Sequence, residues 1–329
     1  MTREDKASLK ALTEVFDRNY KITNLYASYL ERFPEIITAD MVTVLTEDGS
    51  LTKEEALVGL LSEIFGLSFD CGEDRRLIID YLTPSVRILD AKKYTENPYY
   101  KNVKIEGAKL GDWELRREAY EAYRGVIADD MIICEDFKEI PPLGFFTERF
   151  EFPAVLEGGN EWMTLTPVDL DTSEYAIERA RGKVVTFGLG LGYFAYMSAR
   201  KPEVESVTVI EKSPDVIRLF NEYILPQLEC REKITVIMED AFEYAEKTMP
   251  KRGFDVAFVD TWRDASDGAP MYRKMKALEH LSSGTEFIYW IEGFLRSRIR
   301  AERFEELLSL SEQNEGISFQ YIKKELSKI

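Results

Sequence analysis

The chain has 329 residues, and its 60 Asp and Glu residues outnumber its 43 Lys and Arg residues, which gives a formal net charge of −17 at pH 7. This acidity argues against a nucleic-acid substrate, because such affinity depends largely on the neutralisation of phosphates by Lys and Arg. No apolar run approaches the ~18 residues of a membrane span, and the hydrophobic content of 45% is ordinary for a globular protein. We therefore expect no nucleic acid and no membrane among the partners, and a small molecule, or less favourably a protein, as the substrate.

The N-terminal residues, the three cysteines and the single histidine indicate where the protein is located and which kinds of site it contains. The charged start M-T-R-E-D is not a signal peptide, so we expect a cytoplasmic protein. Cys71, Cys134 and Cys230 are scattered and odd in number, which predicts neither a disulfide framework nor a metal site. His280 is the only histidine and lies at the end of a helical stretch. This position favours a structural role, in which the side chain interacts with the C-terminal end of the helix. We therefore expect no histidine base and no metal site, although Mg²⁺ binding by carboxylates alone, through Asp260, Asp264 and Asp267, stays open as an alternative.

The first ~140 residues have frequent helical patterning. Thr52 and Glu55 form a capping-box signature before an apolar helical face, and a further helix is predicted from Asp112 to about Val126. The segment N-P-Y-Y at 97–100 predicts a proline turn packed by tyrosines. These patterns indicate a mainly helical region, in which we find no motif of known chemistry.

The segment P-P-L-G at 141–144 is the best candidate for a domain boundary. It divides the chain into a mainly helical N-terminal accessory domain, 1–142, and a second domain, 143–329. A β-hairpin is predicted at the start of the second domain, because aromatic residues share one face of 146–152 and G-G-N at 158–160 turns into another strand.

The most informative stretch of the chain is K-V-V-T-F-G-L-G-L-G at 183–192. An apolar and β-branched run ends in glycines at alternate positions, Gly188, Gly190 and Gly192. The run predicts a buried parallel strand, and the glycines allow the backbone to turn and to approach a ligand without Cβ interference. A helix is predicted from Tyr193 onward, and its first N–H groups would point at that ligand.

Strands recur along this part of the chain at the spacing of an α/β protein. The predicted strands cover 183–187, 207–210, 234–238, 254–259 and 287–291. Glu211, Asp240 and Asp260 follow the second, third and fourth of them. The alternation of strands and helices predicts an α/β fold with a Rossmann-like, doubly wound, mostly parallel sheet. In such a sheet, the glycines and the three acids share the edge at which ligands bind.

On these residues, the chain resembles class I S-adenosylmethionine-dependent methyltransferases over roughly residues 168–325. The resemblance implies S-adenosylmethionine as the cofactor. The residues that it implies for cofactor binding are Gly188, Gly190 and Gly192 under the methionine part, Glu211 at the ribose, and Asp240, Ala241 and Phe242 at the adenine. Thr186 stands where many members have an acid for the cofactor's amino group. One of the last strands of the family's sheet is expected at Ile317–Ile322.

The end of the fourth strand, D-T-W-R-D at 260–264, is the predicted catalytic segment. Methyl transfer requires a positioned nucleophile and, where needed, removal of its proton. Asp260 and Asp264 are candidates for the base or for the anchor of a substrate amine, and Trp262 is a candidate for stacking on the substrate. In the structural alternative, Asp260 only caps the following turn and Arg263 pairs with Asp264.

Residues between the hairpin and the first strand of the sheet have two interpretations. In the resembled family, segments at this position often close over the cofactor, so Trp162, Thr166 and Asp169 are candidates for lid or substrate contacts. The alternative is ordinary hairpin packing followed by a short helix at Thr172–Arg181. The sequence supports both interpretations equally.

Methyl transfer from S-adenosylmethionine to a small molecule is the function that we favour, and three alternatives stay open. A dinucleotide dehydrogenase fits the G-x-G-x-x-A pattern that begins at Gly190, but Tyr193 would crowd the pyrophosphate. An aminopropyltransferase resembling spermidine synthase has the same fold and paired aspartates after the fourth strand, which Asp260 and Asp264 match loosely. Thr186 allows for a non-catalytic cofactor-binding or scaffold protein. The sequence leaves the acceptor and the oligomeric state open.

Overall fold

The computed structural model of the protein describes residues 2–105, 107–313 and 317–329. Its α-helices in chain order are α1 (Arg3–Arg32), α2 (Ala39–Thr46), α3 (Lys53–Ile64), α4 (Gly72–Leu77), α5 (Thr83–Ser85), α6 (Ala91–Thr95), α7 (Pro98–Asn102), α8 (Pro167–Arg179), α9 (Tyr193–Ala199), α10 (Pro214–Leu219), α11 (Ala241–Glu243), α12 (Ala265–Leu278), α13 (Glu292–Gln313) and α14 (Phe319–Leu326). Its strands in chain order are β1 (Val86–Leu89), β2 (Ala108–Leu110), β3 (Trp113–Tyr120), β4 (Gly125–Ile127), β5 (Ile132–Ile133), β6 (Glu139–Ile140), β7 (Leu143–Phe146), β8 (Phe150–Glu157), β9 (Asn160–Thr164), β10 (Gly182–Phe187), β11 (Val204–Glu211), β12 (Ile234–Met238), β13 (Val256–Val259) and β14 (Glu286–Tyr289). Within the described ranges, no helix is both long and apolar enough to cross a lipid bilayer.

The chain forms two compact units that alternate along the sequence. The first unit comprises Met1–Leu89, Glu121–Glu148 and Gly293–Ile329. The second unit comprises Asp90–Tyr120 and Arg149–Glu292. The division into domains 1–142 and 143–329 stays a prediction.

The first unit combines helices with small sheets. The predicted capping box begins α3: the Thr52 hydroxyl accepts from the Glu55 N–H at 3.2 Å, and the Glu55 carboxylate accepts from the Thr52 N–H at 2.8 Å. Three strands pair in the order β1–β7–β4, and β5 pairs with β6. The larger hydrophobic core of this unit includes the buried residues Ile22, Tyr26, Leu57, Leu61, Leu77, Tyr81 and Phe145.

A buried ion pair also lies in the first unit. The Arg300 Nη1 atom donates to Glu139 Oε1 at 2.7 Å, and the Ser297 hydroxyl donates to Glu139 Oε2 at 2.6 Å. The Arg300 and Glu139 side chains are 4% and 5% exposed. The carboxylate is therefore compensated by a cation and a hydroxyl donor, as a buried charge requires.

The second unit contains a parallel sheet of five strands in the order β12–β11–β10–β13–β14, so the protein is of mixed α/β type. All five strands predicted for this sheet are confirmed, with ends shifted by up to three residues. The last four residues of β10 and all of β13 are buried, which explains their continuous apolar runs. Because the strands are parallel, their carboxyl ends lie at one edge, with β11 and β13 on either side of β10.

A second sheet of this unit is antiparallel, in the order β2–β3–β8–β9. β8 and β9 form the hairpin predicted from the sequence. The helix predicted from Asp112 to about Val126 is wrong, because Trp113–Tyr120 is strand β3 and pairs with β8 along its whole length. Trp113 and Leu115 are buried at alternate positions, and the cross-strand pairing outweighs the helix propensity of the charged residues between and after them.

The strand expected at Ile317–Ile322 is also wrong. Phe319–Leu326 forms α14, which begins where the Ser318 hydroxyl accepts from the Tyr321 N–H at 3.2 Å. Ile322 and Leu326 are four residues apart, fully buried, and part of a small core cluster of the first unit. Burial of one helical face therefore decides this segment.

Candidate functional site

The glycine loop, residues 188–192, leaves β10 at the carboxyl edge of the parallel sheet. Gly188, Gly190 and Gly192 have positive φ angles of 100°, 52° and 74°, a region that glycine adopts without steric cost. Each also has a neighbour that a Cβ atom would clash with. These neighbours are the Asp260 carbonyl oxygen at Gly188, the Met163 side chain at Gly190 and the Phe220 ring at Gly192. The positive φ angles favour glycine at all three positions, and the Asp260 backbone also leaves no room for a side chain at Gly188, whereas the flexible end of Met163 at Gly190 can move.

The Met163 side chain, from β9, lies over the middle of the glycine loop. It occupies the space next to Gly190 and lines two cavities of the second unit, which we call the carboxylate cavity and the apolar cavity. The apolar cavity is lined by aliphatic and aromatic side chains, among them Leu115, Val155, Trp162, Val216, Phe220 and Ile224. A ligand that contacts the backbone at Gly190 has to displace Met163.

Helix α7 supports the loop through side-chain hydrogen bonds. The Tyr99 hydroxyl donates to the Leu191 carbonyl oxygen at 2.6 Å, and Asn97 Nδ2 donates to the Tyr193 hydroxyl at 3.0 Å. The Tyr99 side chain is fully buried. Tyr99 and Tyr100 are buried, as the prediction of packed tyrosines requires, but the segment forms helix α7 and not the predicted proline turn. The sequence contains no signal for the contact of α7 with the glycine loop.

Glu211 ends β11 beside this loop. Its Oε2 atom accepts a hydrogen bond from the Leu189 N–H at 3.1 Å, and its Oε1 atom accepts one from the Ser213 N–H at 2.7 Å. The carboxylate therefore holds the glycine loop and the start of α10 in place. Each oxygen has a second lone pair, so these bonds leave acceptor capacity for a ribose diol.

Asp240, Ala241 and Phe242 follow β12, the strand at one edge of the sheet. The exposed Asp240 carboxylate caps α11 by accepting from the N–H groups of Phe242 at 2.9 Å and Glu243 at 3.1 Å. The Lys274 ammonium group lies 4.0 Å from the centre of the half-buried Phe242 ring. Among the described residues that line the two cavities, none of the three predicted adenine contacts is present.

The carboxylate cavity is bounded by α8, the glycine loop and the carboxyl ends of β10 and β13. Its polar lining residues are Asp169, Ser173, Thr186, Tyr193 and Asp260. Its walls include the apolar residues Leu165, Phe194, Phe258 and Trp290. No Lys or Arg is among the described residues that line it. The charge of this cavity is therefore set by two carboxyl groups.

Asp260 is the first of these carboxyl groups. It is half-buried, and no described residue donates a hydrogen bond to its side chain. Burial, followed by the charges of Asp169 and Glu211, raises the pKa of Asp260 to about 8. The side chain caps no helix or turn of the described residues, so the structural alternative for Asp260 has no support.

Asp169 is the second carboxyl group and lies in the first turn of α8. Its Oδ2 atom accepts from the Thr166 N–H at 2.8 Å and from the Thr166 hydroxyl at 2.7 Å. Burial raises the pKa of Asp169 to about 6, and the bonds from Thr166 offset this effect only in part. Of the three candidates for lid or substrate contacts, Asp169 lines the carboxylate cavity, Thr166 holds Asp169, and Trp162 lines the apolar cavity.

Trp262 and Asp264 have structural contacts outside the carboxylate cavity. Trp262 is 6% exposed and stacks on Tyr289, with 6.4 Å between the ring centres. Asp264 caps α12 by accepting from the Ser266 N–H at 2.6 Å, and the Asp267 carboxylate accepts from the Asp264 N–H at 3.1 Å. Of the predicted catalytic residues, the structure therefore brings only Asp260 to the cavity.

Two residues of the site are absent from the sequence-based candidates, Met163 and Ser173. Ser173 follows Asp169 by four residues, and this helical spacing on α8 is the signal that would have indicated it. Met163 has no such signal, because its position over Gly190 depends on how the β8–β9 hairpin packs on the glycine loop.

Comparisons with known proteins found no matching family model and no matching curated protein. Among solved structures, the chain is similar to spermidine synthase from Thermotoga maritima, with 16% identity over 46% of this chain and 58% of that one, at a TM-score of 0.32. It is similar to precorrin-8w decarboxylase from Methanobacterium thermoautotrophicum, with 20% identity over 38% and 64% of the two chains and a TM-score of 0.29. The methyltransferase domain of bacterial CtHen1-C has 19% identity over 36% and 60% of the two chains and a TM-score of 0.26.

The chain spans 58–64% of the lengths of these three solved structures. Two of them are named as a spermidine synthase and a methyltransferase domain. At identities of at most 20%, the similarity concerns the fold alone. The function has to be inferred from the residues of this chain.

Proposed function

We propose that the chain transfers an alkyl group from an S-adenosyl sulfonium cofactor to a small-molecule acceptor, with methyl transfer from S-adenosylmethionine as the first candidate. The supporting observation is that the glycine loop, Glu211 and Asp260 lie at the carboxyl ends of β10, β11 and β13, three neighbouring parallel strands. The strand order β12–β11–β10–β13–β14 supports the proposal of a Rossmann-like, doubly wound sheet, in which ligands bind beyond the carboxyl ends of the strands. A mainly helical N-terminal accessory domain would precede this catalytic part.

The residues at this edge fit the parts of the proposed cofactor. Glu211 would bind the ribose hydroxyls with its free lone pairs, and Asp240 with the half-buried Phe242 would bind the adenine. The carboxylate cavity next to Gly188 would receive the amino acid end, after Met163 moves from Gly190. When bound, the cofactor supplies a carbon that its sulfonium charge activates.

Asp260 has the environment of a general base. Its pKa of about 8 lies near neutral pH, where a carboxyl group both accepts and releases a proton readily. Asp260 would take the proton of the acceptor's nucleophile while the new bond to carbon forms. The carbon–sulfur bond of the donor would break in the same step, and its electron pair would remain on sulfur. Trp262 and Asp264 would fix the segment that contains Asp260.

One observation favours a second candidate, aminopropyl transfer of the kind that the name spermidine synthase implies. The described lining of the carboxylate cavity contains two carboxyl groups and no Lys or Arg. The carboxylate of intact S-adenosylmethionine would be repelled there, whereas a decarboxylated donor presents only an ammonium group. The charge of the cavity therefore suits the decarboxylated donor.

Incubation with intact and with decarboxylated S-adenosylmethionine, each with a panel of small-molecule acceptors, tests both candidates. Release of S-adenosylhomocysteine from the intact form supports methyl transfer. Turnover with the decarboxylated form alone, with release of methylthioadenosine, supports aminopropyl transfer. Absence of calorimetric binding of either donor or either product at millimolar concentration would leave the scaffold alternative ahead.

A further inference from the structure

Two polar side chains of the carboxylate cavity have no hydrogen-bond partner within the described part of the chain. The Ser173 side chain is unpaired although Ser173 is only 5% exposed. The Asp260 carboxylate likewise receives no hydrogen bond. Both groups line the cavity, so their acceptor atoms are available to a ligand that supplies hydrogen-bond donors.

Helix α8 brings a third acceptor to the same cavity. Asp169 and Ser173 are four residues apart, so they lie on one face of the helix. The two hydrogen bonds from Thr166 to Asp169 Oδ2 fix the carboxylate before a ligand binds. The helix therefore presents an anchored carboxylate and a free hydroxyl to the cavity that Asp260 lines from the end of β13.

The chemistry of this lining selects a cation with several N–H donors. An ammonium group donates three hydrogen bonds, and Asp169, Ser173 and Asp260 offer three acceptors. The apolar walls, which include Leu165 and Phe258, suit the methylene groups of an alkylamine. A metal ion is less suited, because no group of three or more His, Cys, Asp or Glu side chains in the described residues could hold one.

We propose that Asp169, Ser173 and Asp260 form a subsite that binds the ammonium group of a ligand. The inference rests on the proposed function, because the ammonium group belongs either to the amino acid end of the sulfonium donor or to an amine acceptor. In the first case, Asp169 replaces the acid that many methyltransferases have at the position of Thr186. In the second case, the subsite holds the nucleophile beside the carbon that is transferred.

Calorimetry with two adenosyl thioethers tests the subsite. Decarboxylated S-adenosylhomocysteine and methylthioadenosine differ only in the aminoethyl group that ends in the ammonium. Asp169→Asn keeps the shape of the capping side chain and removes its charge, and Ser173→Ala removes only the hydroxyl. Asp169→Asn should weaken binding of the ammonium ligand about ten- to hundredfold and Ser173→Ala about threefold to tenfold, while methylthioadenosine binds as before.

Asp171→Asn is the matched control, because it removes a carboxylate of the same helix that pairs with Lys93 and does not line the cavity. It should bind both thioethers with the affinity of the parent protein. Thermal unfolding of all variants shows whether α8 remains folded. If the loss of charge at Asp169 destabilises the helix, Ser173→Ala still tests the subsite, because it removes one proposed ligand of the ammonium group and leaves the Asp169 cap in place.

Butylammonium, titrated into the parent protein saturated with methylthioadenosine, identifies the source of the ammonium group. If butylammonium binds to the parent protein and Asp169→Asn abolishes this binding, the ammonium group belongs to the acceptor. If Asp169→Asn weakens only the binding of decarboxylated S-adenosylhomocysteine, the ammonium group belongs to the donor. The proposed subsite is wrong if butylammonium does not bind and the variants change the affinities for the two thioethers equally or not at all. Binding of the thioethers would still support the proposed function in that case. If the parent protein binds butylammonium through Asp169 but no adenosyl ligand, the proposed function is wrong and the subsite stands. Binding of neither class of ligand overturns both.

Discussion

Two carboxyl groups of this protein, the buried Glu139 and the half-buried Asp260, have opposite surroundings. Glu139, in the first unit, accepts hydrogen bonds from Arg300 at 2.7 Å and from Ser297 at 2.6 Å. Asp260, in the second unit, accepts none from the described residues, and the charges that act on it are other carboxylates. A paired buried charge is tolerated by the fold, whereas an unpaired one lowers stability and points to a ligand. We infer that Glu139 serves the structure and that Asp260 serves the function.

The largest effect is expected for Asp260→Asn, which keeps the shape of the side chain and removes the proposed base. Turnover should fall on the order of 10²–10⁴-fold, because general-base catalysis contributes this much. The affinity for the donor should fall by less, which parallel rate and calorimetric measurements can show. Equal losses in both quantities would make Asp260 an anchor of the ligand and not a base.

Glu139→Gln tests the other half of the comparison. It leaves the Arg300 charge buried without its anion, so the free energy of unfolding should fall by about 3–5 kcal/mol in chemical denaturation. The double variant Glu139→Leu/Arg300→Met removes both charges and should recover most of this loss. A single variant as stable as the parent protein would mean that the ion pair does not stabilise the first unit.

Glu211→Ala should weaken cofactor binding while the fold remains intact. Loss of the charge-assisted hydrogen bonds to a ribose should cost about 1.5–3 kcal/mol, or roughly ten- to hundredfold in affinity. Because Glu211 also holds the Leu189 N–H, Glu211→Gln serves as the control that retains one acceptor oxygen. A dissociation constant that Glu211→Ala leaves unchanged would limit Glu211 to its role in the glycine loop.

The last prediction concerns the pH dependence of stability. Between the ordinary carboxyl pKa near 4 and about 8, the folded protein binds a proton at Asp260 that the unfolded chain does not bind. The contribution of Asp260 to the free energy of unfolding therefore falls as the pH rises through this window, by at most about 1.4 kcal/mol per pH unit. Asp260→Asn removes this contribution, so its stability relative to the parent protein should increase from pH 5 to pH 8. Denaturation curves at pH 5, 6.5 and 8 measure the difference, and parallel curves for the two proteins would contradict the raised pKa.

Predictions from the sequence succeeded where a local pattern and the final environment agree. The strands of the parallel sheet are apolar runs because both of their faces are buried, and the Thr52–Glu55 capping box needs only neighbouring residues. The helical pattern gave a wrong prediction at Trp113–Tyr120. The charged residues of this segment favour a helix, but alternating burial and pairing with β8 make it a strand.

The sequence by itself determined the α/β alternation, the glycine loop and the acids that follow its strands, because these depend on short-range periodicity and on the backbone freedom of glycine. Only the tertiary structure decided which acids meet. Asp169 and Asp260 line one cavity because α8 packs beside the ends of β10 and β13, while Asp264 and Asp240 are engaged as helix caps. Desolvation and charge repulsion arise only when such groups are brought together in space, so the raised pKa of Asp260 has no signature in the sequence.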